Sequence, residues 1–168
     1  TNRTITWVVT DANSESLGVQ SSSGVTSTIT ITAINDVPVA TAGGTLSYTE
    51  NESAAVVDNT IAITDDDDIQ LVGGTITISS GFTAGDILTL ATQNGISQTS
   101  YSSGALTISG TATLANYQTA LRSITYSSTS EDPTITSSSC TIAWVVTDAN
   151  SEGLGAESSI PVTSTISI

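Results

Sequence analysis

Residues 4–31, TITWVVTDANSESLGVQSSSGVTSTITI, return at 141–168 as TIAWVVTDANSEGLGAESSIPVTSTISI, at an offset of 137 residues, without a gap and with 21 of 28 positions identical. A period this long exceeds the roughly 20–50 residues of a solenoid unit, so the thing repeated is a whole domain. The chain therefore reads as the tail of one domain, residues 1–34, followed by one complete domain, residues 35–168. The seam falls at Asn35-Asp36-Val37-Pro38, where Pro38 stops any strand running on from 25–34. Such a chain is expected to be a piece of a tandem array. Cys140 stands where the first copy has Arg3, so the thiol is not a fixed feature of the unit.

The local pattern is almost entirely of period two. Ile5, Trp7 and Val9 alternate with Thr4, Thr6 and Thr10, and Val25, Ser27, Ile29, Ile31 and Ala33 alternate with Thr26, Thr28, Thr30 and Thr32. Similar runs surround Leu46, Ile61, Ile76, Leu88, Leu106, Ile124, Ile142 and Val162, with Gly43-Gly44, Gly73-Gly74, Asn94-Gly95 and Ser103-Gly104 as turn signals between them. Threonine opposite branched apolar residues means one buried and one wet face, as in antiparallel sheets, and many short strands imply a β-sandwich or barrel. One segment departs. In 113–124 the apolar residues Leu114, Tyr117, Leu121 and Ile124 fall on one helical face behind Thr113 as N-cap, which predicts a short helix between two strands.

Composition narrows the function. Sixteen acidic residues stand against two basic ones, Arg3 and Arg122, and there is no Lys or His. A nucleic-acid binder needs a basic footprint, and an anionic membrane surface repels this chain for the same reason. No apolar run approaches the roughly 18 residues that cross a bilayer, so membrane insertion is not expected. Histidine-based triads, Schiff-base lysines and histidine-ligated metals are all missing their residue, and no serine has a His or Lys to activate it. The expectation is a protein that is not an enzyme. Disorder is not favoured either, because the hydrophobic fraction is 38% and lies in periodic runs.

The succession AINDVPV (33–39), SYTEN (47–51), AITDDDD (62–68), AGDILTL (84–90), ALTISGTATLANYQTALRSITYSS (105–128), SEDP (130–133) and the closing TSTISI resembles the cadherin-like, VCBS-type repeats of giant bacterial surface proteins, including RTX-type adhesins. The resemblance spans 33–168, and 1–32 matches the end of a preceding repeat. It implies an all-β, Ig-like antiparallel sandwich with one short helix, repeated in tandem, generally calcium-dependent and extracellular or on the cell surface. It also implies that Glu50, Asp65, Asp67, Asn35 and Asp36 supply calcium ligands.

The residues raise calcium on their own account. Asp65, Asp66, Asp67 and Asp68 are four adjacent carboxylates, and a cation that prefers six to eight oxygen ligands would relieve their repulsion. A solvated acidic loop is the bland alternative. Asp148, Asn150 and Glu152 are spaced like the first half of an EF-hand loop, but Ser159 stands where the bidentate Glu belongs. Glu131 and Asp132, before Pro133, either join a site between domains or open a turn. Trp7 and Trp144 are expected in the core, and Tyr101 is the better candidate for sugar contact.

The reading is a structural extender or adhesion repeat of a large secreted or cell-surface bacterial protein, stiffened by calcium. Its partners are neighbouring repeats of the same protein, with self-association and a cell-surface or polysaccharide receptor left open. The rivals are a self-assembling subunit of an extracellular filament, sheath or surface layer, and a carbohydrate-binding module of a secreted enzyme.

Overall fold

Alternating threonines and branched apolar residues produce strands almost throughout the computed structural model, which describes residues 1–151 and 153–168. The chain divides into two units, Thr1–Ile34 and Asn35–Ile168. The first is a single antiparallel hairpin of β1 (Asn2–Trp7) and β2 (Val25–Thr30).

The second unit contains β3 (Val39–Thr41), β4 (Thr45–Ser47), β5 (Ala55–Val56), β6 (Ala62–Thr64), β7 (Gln70–Ser80), β8 (Asp86–Thr89), β9 (Ser97–Ser102), β10 (Ala105–Thr113), α1 (Leu114–Leu121), β11 (Thr125–Ser128), β12 (Ser139–Asp148) and β13 (Val162–Ser167). Six strands form the main sheet in the order β4-β13-β12-β7-β10-β9, beside a three-stranded sheet β5-β11-β8 and the pair β3-β6. The β13–β4 pairing is parallel and the others are antiparallel.

One buried cluster joins the layers. The main sheet contributes Ile76, Ile78, Leu106, Ile108, Ile142, Trp144 and Val146, the smaller sheets Ile63, Leu88 and Tyr126, and the helix Tyr117 and Leu121. This is an all-β sandwich with one short helix. Burying each large apolar side chain contributes about 1.5–3 kcal/mol relative to leaving it in water. The helix begins as its sequence predicts, with the Thr113 hydroxyl accepting from Asn116 N at 3.2 Å. Buried phenols keep partners: Tyr117 donates to Gly110 O at 2.7 Å, and Tyr126 donates to Asp86 Oδ1 at 2.7 Å. Burial pushes the Tyr117 phenol up to about 12.

The complete unit begins and ends at opposite ends of the sandwich. Asn35 Nδ2 donates to Asp148 Oδ2 at 2.8 Å and to Gly155 O at 3.1 Å, where β12 finishes. Ile168 N donates to Ser138 O at 3.0 Å, where β12 starts. The 10 residues of β12 lie between, roughly 30 Å at the rise of a strand. The end that holds Asn35 is called proximal below, and the end that holds Ile168 distal.

Candidate metal centre

Three loops meet at the proximal end: the segment from Asn35, the acidic loop 65–68 and the loop that follows β12. Asp65 Oδ1 accepts from Asp67 N at 3.4 Å and Asp68 N at 3.3 Å, so the acidic run folds back on its own first carboxylate. Asp36 N donates to Asp67 Oδ2 at 2.9 Å, and Ser151 N donates to Asp68 Oδ2 at 3.3 Å. Asp148 is in phase with Ile142, Trp144 and Val146 along β12, which carries its carboxylate inward. There Oδ1 accepts from Asn150 N at 3.0 Å, while Oδ2 accepts from Asn35 Nδ2 and from Glu157 N at 3.0 Å. Asn150 sits at φ 55° and its Oδ1 accepts from Gly155 N at 2.6 Å, closing the loop. These bonds bring Asn35, Asp36, Asp65, Asp67, Asp68, Asp148 and Asn150 into one connected patch. Asp66 points to solvent beside them.

What the patch lacks is donors. Among the described residues, the buried side-chain oxygens and nitrogens without a hydrogen-bond partner are Asn35 Oδ1, Asp65 Oδ2 and Asp67 Oδ1. All three are acceptors, and all three belong to this end of the molecule. A buried acceptor without a donor costs about 1–3 kcal/mol, more when charged, and a bound cation removes that cost. Burial, together with the neighbouring Asp67 carboxylate, holds Asp65 above the ordinary carboxylate value. Donation from Asp36 N holds Asp67 below it. A shallow cavity of about 230 Å³, lined by Asp36, Val37, Val39, Thr64, Asp65 and Asp66, opens beside these two acids. The donor set is therefore hard oxygen, which suits calcium. Asn35, Asp65 and Asp67 are the residues that would hold the ion. Among the described residues no three Asp, Glu, Cys or His side chains converge into a metal-holding group by themselves. The amide of Asn35 and backbone carbonyls would have to complete the shell.

The remaining sequence candidates lie elsewhere. Glu50 is exposed just past Tyr48, whose N–H donates to Ser167 O at 2.8 Å, which places Glu50 at the distal end. Glu131 and Asp132 are also distal and exposed, following the segment in which Ser128 N reaches Tyr48 Oη at 3.2 Å. Asp132 Oδ1 accepts from Thr134 Oγ1 at 2.9 Å and so opens a turn. The ligand set that joins Glu50 to Asp65 and Asp67 is thus not assembled within one unit, because a strand's length separates them. Glu152 lies outside the described residues.

No family model matches the chain, and no solved structure matches it. It is similar to Halomucin of Haloquadratum walsbyi, 32% identical over 108 residues that make up 60% of this chain and 1% of Halomucin. The match spans about a hundredth of that protein. No helix among the described residues is long and apolar enough to cross a membrane.

Two aromatic expectations change. Trp144 is in the core at 1% exposure, but Trp7 is 55% exposed, because the first unit contains no second layer to cover it. Tyr101 turns inward from β9 and donates to Asp86 O at 2.6 Å, so its ring tip is not offered to a sugar. Cys140 is buried, and burial pushes its thiol up to about 11. Two buried acids escaped the sequence reading. Asp86 shares the inner face of β8 with Leu88, a signal the period-two pattern contains. Asp58 accepts from Gly44 N at 2.7 Å, Thr60 N at 2.7 Å, Thr60 Oγ1 at 2.6 Å and Ser164 Oγ at 2.6 Å. These donors outweigh burial and hold its carboxyl far below the usual range. A Cβ on Gly44 would meet the Asp58 carboxylate at 2.5 Å, which explains the glycine.

Proposed function

We propose that this chain is part of a tandem array serving as a structural extender or adhesion repeat of a large secreted or cell-surface protein, with calcium bound at the proximal end of the complete unit. The observation that carries the reading is the pairing of a 137-residue repeat with a unit whose first and last residues lie at opposite ends of the sandwich. Termini at opposite ends of the unit would allow successive units to be joined end to end. Calcium enters through the three orphaned oxygens of Asn35, Asp65 and Asp67. By tying the linker residue Asn35 to the acidic loop, the ion would stiffen the point where the chain enters each unit. The cadherin-like, VCBS-type resemblance and the similarity to a small stretch of Halomucin both support a place inside a long chain. The large negative charge keeps such an array soluble and extended.

Small-angle scattering on concatemers of residues 35–168 tests this. The maximum dimension is expected to grow linearly with copy number in millimolar calcium, and less steeply in EDTA. Growth as the cube root of copy number, the signature of copies collapsed into one globule, would contradict it.

A further inference from the structure

We propose that Asp148 is a positioning residue of the proximal centre: its carboxylate holds the Asn35 amide so that Asn35 Oδ1 faces the cation, and Asp148 itself stays outside the cation's shell. The proposal deepens the calcium reading above and rests on it. By sequence alone Asp148 is a candidate ligand beside Asp65 and Asp67. The hydrogen bonds of the proximal end separate it from them.

A buried carboxylate that accepts several protein hydrogen bonds has its charge satisfied and its lone pairs directed at those donors. Asp148 is 0% exposed and accepts from Asn150 N at 3.0 Å, from Glu157 N at 3.0 Å and from Asn35 Nδ2 at 2.8 Å. Of the roughly four lone-pair sites on a carboxylate, three are thus taken. Both oxygens are engaged, and neither is among the buried atoms without a partner. Asp65 Oδ2, Asp67 Oδ1 and Asn35 Oδ1 do belong to that group. The first two come from the acidic loop itself. The third is set by Asp148.

Donor and acceptor chemistry fixes how the amide lies. A carboxamide has two N–H donors on its nitrogen and only acceptor sites on its oxygen. The Asn35 Nδ2 donors go to Asp148 Oδ2 at 2.8 Å and to Gly155 O at 3.1 Å, both of them acceptors. A half-turn of the amide would set Oδ1 against a carboxylate and a carbonyl, so only one orientation is allowed. It turns Oδ1 away from Asp148, to where it is buried and has no donor. The next backbone N–H, that of Asp36, donates to Asp67 Oδ2 at 2.9 Å and ties the same stretch of chain to the acidic loop. The carbonyl that shares the amide is itself held, because Asn150 Oδ1 accepts from Gly155 N at 2.6 Å. Donation to an anion also polarises the amide and makes Oδ1 the better ligand, the part that outer carboxylates play for metal-bound imidazoles. Protein groups alone make these bonds, so the amide is set whether or not an ion is bound.

The test uses the full chain, with calcium as the probe. In the parent, NMR is expected to show the two Asn35 side-chain amide protons exchanging slowly with solvent in EDTA as well as in calcium. Calcium is expected to shift the Asn35 side-chain carbonyl carbon. Free exchange of both protons in EDTA overturns the proposal, and this measurement stands even where a variant fails to fold. By titration calorimetry, Asp148→Asn is expected to weaken calcium binding about 10–100-fold. An unchanged Kd in that variant overturns the positioning role alone, whereas a parent that binds no calcium overturns the calcium reading with it. Asn35→Ala and the double variant Asn35→Ala/Asp148→Asn are expected to bind calcium equally weakly, because Asp148 then has nothing to position. A further loss in the double variant means that Asp148 acts otherwise than through Asn35, and overturns the proposal as well.

Discussion

The first hairpin and its copy at 138–168 make the same local bonds in different surroundings. Trp7 Nε1 donates to Ser27 Oγ at 2.9 Å, and Trp144 Nε1 donates to Ser164 Oγ at 2.9 Å. Val9 N meets Ser22 Oγ at 3.1 Å, and Val146 N meets Ser159 Oγ at 3.1 Å. The loops repeat as well: Asn13 and Asn150 both have positive φ and close on Gly18 N and Gly155 N at 2.7 and 2.6 Å. Register and loop geometry are therefore properties of the segment. Burial, the two flanking strands and the Asp58 carboxylate that accepts from Ser164 are supplied by the body, residues 35–137. The lesson is that this hairpin is specified locally but stabilised from outside, as expected where an isolated two-stranded ribbon is marginal.

The largest effect should separate the two tryptophans. Trp144→Ala is expected to cost about 3–5 kcal/mol through lost burial and an uncollapsed cavity. Trp7→Ala is expected to change the stability of the complete unit by less than about 0.5 kcal/mol. Urea unfolding of both variants measures this, and equal losses would break the comparison. Next comes the acid that only the complete unit possesses. Asp58→Ala strands the donors of Gly44, Thr60 and Ser164 and is expected to cost about 2–4 kcal/mol. Its sign with pH follows from a carboxyl lowered from 3.8. The contribution is complete above 3.8 and fades as the pH falls from there toward the depressed folded value. Acid denaturation of Asp58→Asn should therefore be flatter below that pH than in the parent. The smallest effect lies in the loops, where Ser16 at φ 56° stands for Gly153 at φ 70°. Gly153→Ser should cost about 1 kcal/mol, and Ser16→Gly should steady the first hairpin by about 0.5 kcal/mol. Slower hydrogen exchange at Ser22 N, which donates to Val9 O at 2.8 Å, reports the second change.

Much of the fold was legible because its signals are local. The repeat, the period-two strands and the Thr113 cap each depend on neighbouring residues, and each appears where the pattern predicts. The proximal patch was legible in part. The aspartates at 65–68 advertise themselves by density, and Asp148 and Asn150 by their EF-hand-like spacing. What could not be read was distance. Nothing in the sequence shows that Glu50, Glu131 and Asp132 belong to the far end, because that depends on the parallel pairing of β4 with β13, an arrangement without a local signal. Trp7 was assigned to the core by its likeness to Trp144, yet burial requires a second layer that residues 1–34 do not contain. Asp58 went unread for a related reason, since its partner Ser164 is 106 residues away.

The most direct test of the account is a thermal melt of the full chain in millimolar calcium and again in excess EDTA. Saturation at 100 times the Kd is worth about 2.7 kcal/mol, which for a domain of this size raises Tm by roughly 5–10 °C. The account predicts a rise of that order, and its loss in Asp65→Asn/Asp67→Asn. It also predicts a gap that narrows as the pH falls through the raised value of Asp65, because a proton there competes with the ion. Superimposable melts in calcium and EDTA at neutral pH would contradict it, leaving the sandwich self-sufficient and the proximal oxygens without a cation.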